Sequence, residues 1–174
     1  MKLFLVGLLI GFFVLFPLAI YLYVKLGFLS LATTAPPLPL EQFMAQTALQ
    51  ASVGAAKDKT GPLPVTDENL LGGAKEFREH CAVCHGLPGQ PITLIAKGMF
   101  PKPPQLLGGK DMVTDDPEGA TFWKVSNGIR LSGMPGFGEM PETERWQVTM
   151  LLKHADKLPV VVQTALSQPP VASH

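Results

Sequence analysis

At 174 residues, with 17 Gly and 17 Pro, the chain has the length of one ordinary domain and stays below the glycine and proline content of disordered sequence. Hydrophobic residues make up 47% and charged residues 16%, against roughly 25% charged in soluble domains, so part of the chain avoids water. The first 40 residues hold two lysines and no acid, leaving 12 basic and 14 acidic side chains for the other 134. Without a basic excess nucleic acid is excluded as a partner, and two cysteines are too few for a small disulfide framework.

Leu3 to Val24 is an unbroken run without charge; as a helix it spans about 33 Å, enough for a hydrocarbon core of about 30 Å. Pro17 lies inside the run, where a membrane helix tolerates it, and Tyr21 and Tyr23 sit where an interfacial aromatic belt would place them. A cleaved signal peptide is the rival reading, with the small residues Ser30 and Ala32 before Thr33. Its apolar region would be only about 7–15 residues long, so an uncleaved anchor over 1–32 is expected, in contact with membrane lipid. Lys2 and Lys25 flank the run at both ends and leave orientation nearly undecided.

From 33 to 65 the chain reads as a proline-rich tether, opened by Pro36, Pro37 and Pro39 and closed by Gly61, Pro62 and Pro64. Within it Leu40, Phe43, Met44, Thr47, Ala48 and Ala51 recur at helical spacing, predicting a short amphipathic helix on the surface of the domain. The domain itself is expected over 66–159. Its first helix runs from Asp67 to His80 with Thr66 or Asn69 as cap, placing Gly73, Phe77 and Cys81 on one face, with Gly73 as a point of close helix contact.

Cys81-Ala82-Val83-Cys84-His85 follows, a C-x-x-C-H pattern that attaches a c-type haem. Two thiols at i and i+3 lie on one side of a helical turn and can form thioethers to two vinyl groups, and His85 offers an imidazole to the iron. A structural zinc site would need a second pair of ligands at compatible spacing. A thioredoxin-like pair would need alternating strands and helices around it, and a plain disulfide leaves His85 without a role.

Glu118 to Asn127 predicts a helix ended by Gly128, and a further helix opens at Pro141 and Glu142, with Thr143 a possible cap, and runs to about Lys157 before Pro159. Between them stands Met134, in Ser132-Gly133-Met134-Pro135-Gly136-Phe137, where helix breakers let backbone approach a ligand closely. A thioether opposite histidine is a common haem ligand pair, and Met134 is the expected one, ahead of Met140, Met99 and Met112. Met150 falls in an apolar helical pattern and reads as core. Trp123 is open to two readings, donation of its indole N–H to a haem propionate or core packing, and Arg130 to propionate pairing or solvation. His80, His154 and His174 read as solvated. No segment alternates as a strand would, so the fold class is all-α. The tail over 160–174 reads as a loose terminus.

These features together resemble a membrane-anchored, monohaem class I type cytochrome c, over about Leu70 to Pro159. Gly73 and Phe77 before Cys81 resemble the family's N-terminal helix, whose glycine receives an aromatic of the C-terminal helix; Trp146 or Leu151 would take that contact. Phe100-Pro101-Lys102-Pro103-Pro104-Gln105-Leu106 resembles a proline-rich stretch in which a proline carbonyl, Pro103 or Pro104 here, accepts the hydrogen bond of the ligand histidine, and Leu106 closes this haem-contacting stretch. The run from Phe122-Trp123 through Asn127-Gly128-Ile129-Arg130-Leu131 to Met134 is similar to the family's approach to its methionine ligand. Gln105 stands where many relatives carry Asp. The resemblance implies one covalent haem c with iron held by His85 and Met134, on the periplasmic side of the cytoplasmic membrane.

The expected function is one-electron transfer, by an anchored shuttle or by a haem subunit of a membrane oxidoreductase, with redox proteins as partners and no catalytic residues. A haem sensor or enzyme with an open iron position is the alternative from another class. The near-neutral domain argues against strong electrostatic steering and for a tethered or complexed partner.

Overall fold

The computed structural model describes residues 2–168, in two units that divide between Pro36 and Pro37. In the first, one helix runs from Lys2 to Lys25 and is long and apolar enough to cross a membrane. It consists of α1 (Lys2–Ile10), a π turn (Gly11–Leu15) and α2 (Phe16–Lys25). Pro17 sits in the first turn of α2, just after the wide turn, the kind of local adjustment that re-satisfies groups a proline leaves without an N–H partner.

The second unit opens with α3 (Glu41–Val53), whose surface is largely exposed until Val53, which is buried. A 3-10 turn (Gly54–Asp58) follows. The sequence reading assigns Val53 to Val65 to the tether, yet this stretch lies against the helical core. The backbone N–H of Gly61 donates to Glu118 Oε2 at 2.9 Å, and Gly61 faces the Trp146 ring. At Gly119 a Cβ would collide with the Ala56 carbonyl and with Lys59 backbone. Glycine at 119 thus lets two backbones meet, and glycine at 61 lets the chain lie close against the Trp146 ring, which composition alone could not reveal.

α4 (Asp67–Glu76) begins at Thr66, whose hydroxyl accepts the N–H of Asn69 at 3.3 Å, and carries Asp67 and Glu68 in its first turn, where the helix dipole favours acids. A π turn (Phe77–Cys81) continues it into α5 (Ala82–His85), which Gly86 ends at a φ of 69°. Cys81 packs against the buried cluster that holds Phe77, so the two share a face as expected, although the turn that joins them is a π turn. α6 (Leu94–Gly98) is short; α7 (Glu118–Asn127) ends at Gly128 as expected, and α8 (Glu142–Lys153) stops four residues before the expected Lys157. No strand occurs among the described residues; Ile129 and Met134 form an isolated antiparallel bridge.

The core lies between α4 and α8, with Ala74, Phe77 and Leu151 fully buried. Gly73 is the crossing point: a Cβ there would collide with the Gln147 carbonyl and stand 3.1 Å from Leu151 Cβ. Leu151 is thus one of the two expected neighbours. Trp146 is not; it stacks on Phe122 of α7 with ring centroids 3.9 Å apart. The tail is not loose over its first half either. Val160–Ser167 forms α9, which packs on α4 and buries Val162 and Leu166 completely, because an apolar i, i+4 pair following Pro159 can close over that helix. Pro169 to His174, also expected to be loose, lie outside the described residues.

Candidate functional site

The C-x-x-C-H segment occupies the end of the long helix, where the π turn hands over to α5. Cys81 and Cys84 are free thiols, both half-buried. Burial pushes the Cys81 thiol up to about 12, with the negative charge of Glu76 and then Cys84 adding to the rise. The Nδ1–H of His85 donates to the Pro104 carbonyl at 2.8 Å. Burial lowers the imidazole below its ordinary range and the Pro104 hydrogen bond partly opposes this, so the ring favours the neutral form in which Nε2 carries a lone pair.

Two loops are tied to this segment. Thr93 donates its hydroxyl to the Val83 carbonyl at 2.6 Å while accepting the N–H of Ala96 at 3.1 Å, so one side chain caps α6 and fastens it to α5. The proline-rich loop brings the Gln105 amide onto Gly86, where a Cβ would collide with it. Leu106 and Leu107 are buried in the same cluster as Ala82 and Leu87. Pro103, the other candidate carbonyl, is half-buried next to Pro104.

Met134 is half-buried at the tip of a separate loop. Its carbonyl accepts the Ile129 N–H at 3.1 Å, and its own N–H donates to Ser132 Oγ at 3.2 Å. Gly128 and Gly136 press backbone to backbone at the base, where a Cβ on Gly128 would stand 2.6 Å from the Gly136 nitrogen, so the loop is pinched shut by glycines. Leu131 adopts a φ of 65° and is 92% exposed, and the Met99 methyl lies against Gly133. Trp123 is half-buried on α7 and Arg130 is exposed. Arg145 braces the far side of the loop, donating from Nε to the Met140 carbonyl at 3.0 Å and from Nη1 to Ser126 Oγ at 2.7 Å. Thr93, Arg145 and the buried acid Glu76 escape the sequence reading; a threonine three residues before a helical amide is the one local signal that marks any of them.

The donor set suits covalent tetrapyrrole attachment on chemical grounds: two unpaired thiols on one helical turn, and a neutral imidazole whose Nδ1 is engaged and whose Nε2 is left for iron. Comparison with protein families agrees. The model of the family described as cytochrome c oxidase, cbb3-type, subunit III matches residues 68–150. No curated protein matches the chain.

Proposed function

Since residues 68–150 are a monohaem cytochrome c domain of the class I type, with covalently bound haem c and a role in electron transfer, we propose that this chain is a membrane-tethered one-electron carrier whose iron is held by His85 and Met134. When bound, the haem supplies a ferric/ferrous couple, and the protein's part is ligation, burial and orientation. Cys81 and Cys84 hold the macrocycle by thioethers. His85 ligates through Nε2, with the Pro104 carbonyl fixing its tautomer and ring plane. The hydrogen bond from His85 Nδ1 to Pro104 at 2.8 Å is the observation that carries this reading, because it leaves the imidazole a single lone pair and directs it away from the proline loop.

Met134 would be the second protein ligand to the iron, presented by a loop pinched between Gly128 and Gly136. Leu106, buried beside Ala82 and Leu87, contributes apolar wall. Trp123 and Arg130 are assigned to the propionate end. The helix Lys2–Lys25 is the anchor, with the haem domain on the outer, periplasmic side, where covalent haem attachment takes place.

The test is a spectrum. The ferric full-length protein is expected to show the weak near-infrared methionine–iron charge-transfer band, and Met134→Ala to abolish it and lower the potential. A high-spin wild type that binds CO would overturn the six-coordinate reading and favour the open-site alternative. Within the same function, the matched family's description as an oxidase subunit favours a fixed place in a membrane oxidoreductase over a free shuttle. Copurification with other subunits in mild detergent supports this, and isolation as a lone haem protein rejects it.

A further inference from the structure

Glu76 is a buried acid with no part in attaching or ligating haem. Its side chain is only 6% exposed, while the partners beside it reach into solvent: Lys75 Nζ, 3.1 Å from Oε1, belongs to a side chain 65% exposed, and His80 Nε2, 3.4 Å from Oε2, to one 44% exposed. Solvent screens such partners, whereas a carboxylate removed from water acts at longer range on its surroundings.

The π turn determines what those surroundings are. In a regular α-helix residues 76 and 81 would be about 140° apart around the axis. Here the Ala82 N–H returns to the Phe77 carbonyl, a five-residue closure, and residues five apart approach one another as residues four apart do in an α-helix. The acid is therefore carried round toward Cys81. The same proximity is felt at the cysteine, whose thiol is raised by the Glu76 charge in addition to burial.

We propose that Glu76 is a potential-setting residue: its buried negative charge, brought to the Cys81 side of the helix by the π turn, favours the ferric over the ferrous state and lowers the reduction potential of the haem. This rests on the cytochrome reading above. Ferric iron carries one more positive charge than ferrous iron, so a fixed anion near the attachment point stabilises the oxidised form, and removing that anion shifts the equilibrium toward reduction. Lys75, as counter-charge, acts with the opposite sign and more weakly because it is exposed.

The test is a spectroelectrochemical titration of the full-length holoprotein in detergent. Glu76→Gln is expected to shift the reduction equilibrium about threefold to tenfold toward the ferrous state, tenfold being about 59 mV for one electron. Lys75→Ala is expected to shift it the other way by about twofold. Opening of the haem pocket to water would lower the potential in both variants, so the opposite signs separate charge from loosened packing. An unchanged or lowered potential in Glu76→Gln overturns the proposal. If that variant does not mature, the exposed Lys75→Ala decides: a lowered potential with an unaltered methionine–iron band supports the role, and an unmoved potential overturns it. A wild type without covalently bound haem would instead refute the cytochrome reading itself.

Discussion

Gly72 and Gly73 are neighbours in α4, and the structure predicts opposite outcomes when each gains one methyl group. At Gly73 the new Cβ would meet the Gln147 carbonyl of α8, with Leu151 Cβ 3.1 Å away. Backbone cannot yield locally, so the helices must separate, an overpacking cost of about 1–3 kcal/mol. A collision with backbone places the cost in the upper part of that range, about 2–3 kcal/mol, and alanine recovers about 1 kcal/mol of helix propensity over glycine, leaving Gly73→Ala destabilised by about 1–2 kcal/mol. At Gly72 the obstacle is the Gln147 side-chain amide, with Oε1 2.6 Å from the built Cβ. That flexible group can swing aside, losing its 3.1 Å hydrogen bond to Asn69, about 1 kcal/mol, which the propensity gain offsets. Urea unfolding of the two holoproteins, followed by far-ultraviolet circular dichroism, should show Gly73→Ala with a clearly lower midpoint and Gly72→Ala within about 0.5 kcal/mol of wild type. A Gly73→Ala protein as stable as wild type, or an equal loss at both positions, would refute the α4–α8 contact as drawn.

Thr93→Val should cost about 1–2 kcal/mol in the same assay, since it removes both the α6 cap and the 2.6 Å bond to the Val83 carbonyl; a loss near zero would mean that α6 is not fastened there. Gly86→Ala should be more damaging than an ordinary surface change, because its φ of 69° with ψ of 176° lies in a region essentially restricted to glycine, costing a side chain about 1–3 kcal/mol, and Gln105 blocks the space; mature haem content in extracts reports it. Burial lowers the His85 pKa against its ordinary value of 6.5, so the folded state binds fewer protons than the unfolded chain and stability is present above that value and lost as pH falls below it. Unfolding midpoints measured between pH 7.5 and 5 should decline accordingly, and a midpoint that rises on acidification would contradict the assignment.

Most of the helical plan was readable because its signals are local. Thr66 ahead of two acids, Gly128 after Asn127 and Pro159 beyond the last turn of α8 each act within a few residues, and α7 falls where the pattern put it. The attachment pentapeptide is equally local. What escaped depends on distant backbone. The π turn at Phe77–Cys81 leaves no mark in side-chain pattern, since it is a change of hydrogen-bond partner. Without it, Glu76 counts as one more acid on a polar helix face. Gly61 and Gly119 look like linker and helix-start glycines until each is found admitting another segment. Family likeness leaves Trp146 and Leu151 as candidates for the contact at Gly73; the stack with Phe122 holds the Trp146 ring elsewhere and leaves Gln147 backbone and Leu151 at the crossing.

The helix α9 changes what should be regarded as one cooperative unit. The family match stops at residue 150, inside α8 and ten residues before the chain turns back over α4. A fragment trimmed to residues 68–150 would strip Val162 and Leu166 from the helix that leads to Cys81, and with Gly61 gone would also bare the Trp146 face. Freshly uncovered apolar surface of that kind invites self-association. Domain exchange with a relative would therefore have to take the chain from about Val53 through Ser167 as a single graft, with both flanks travelling together.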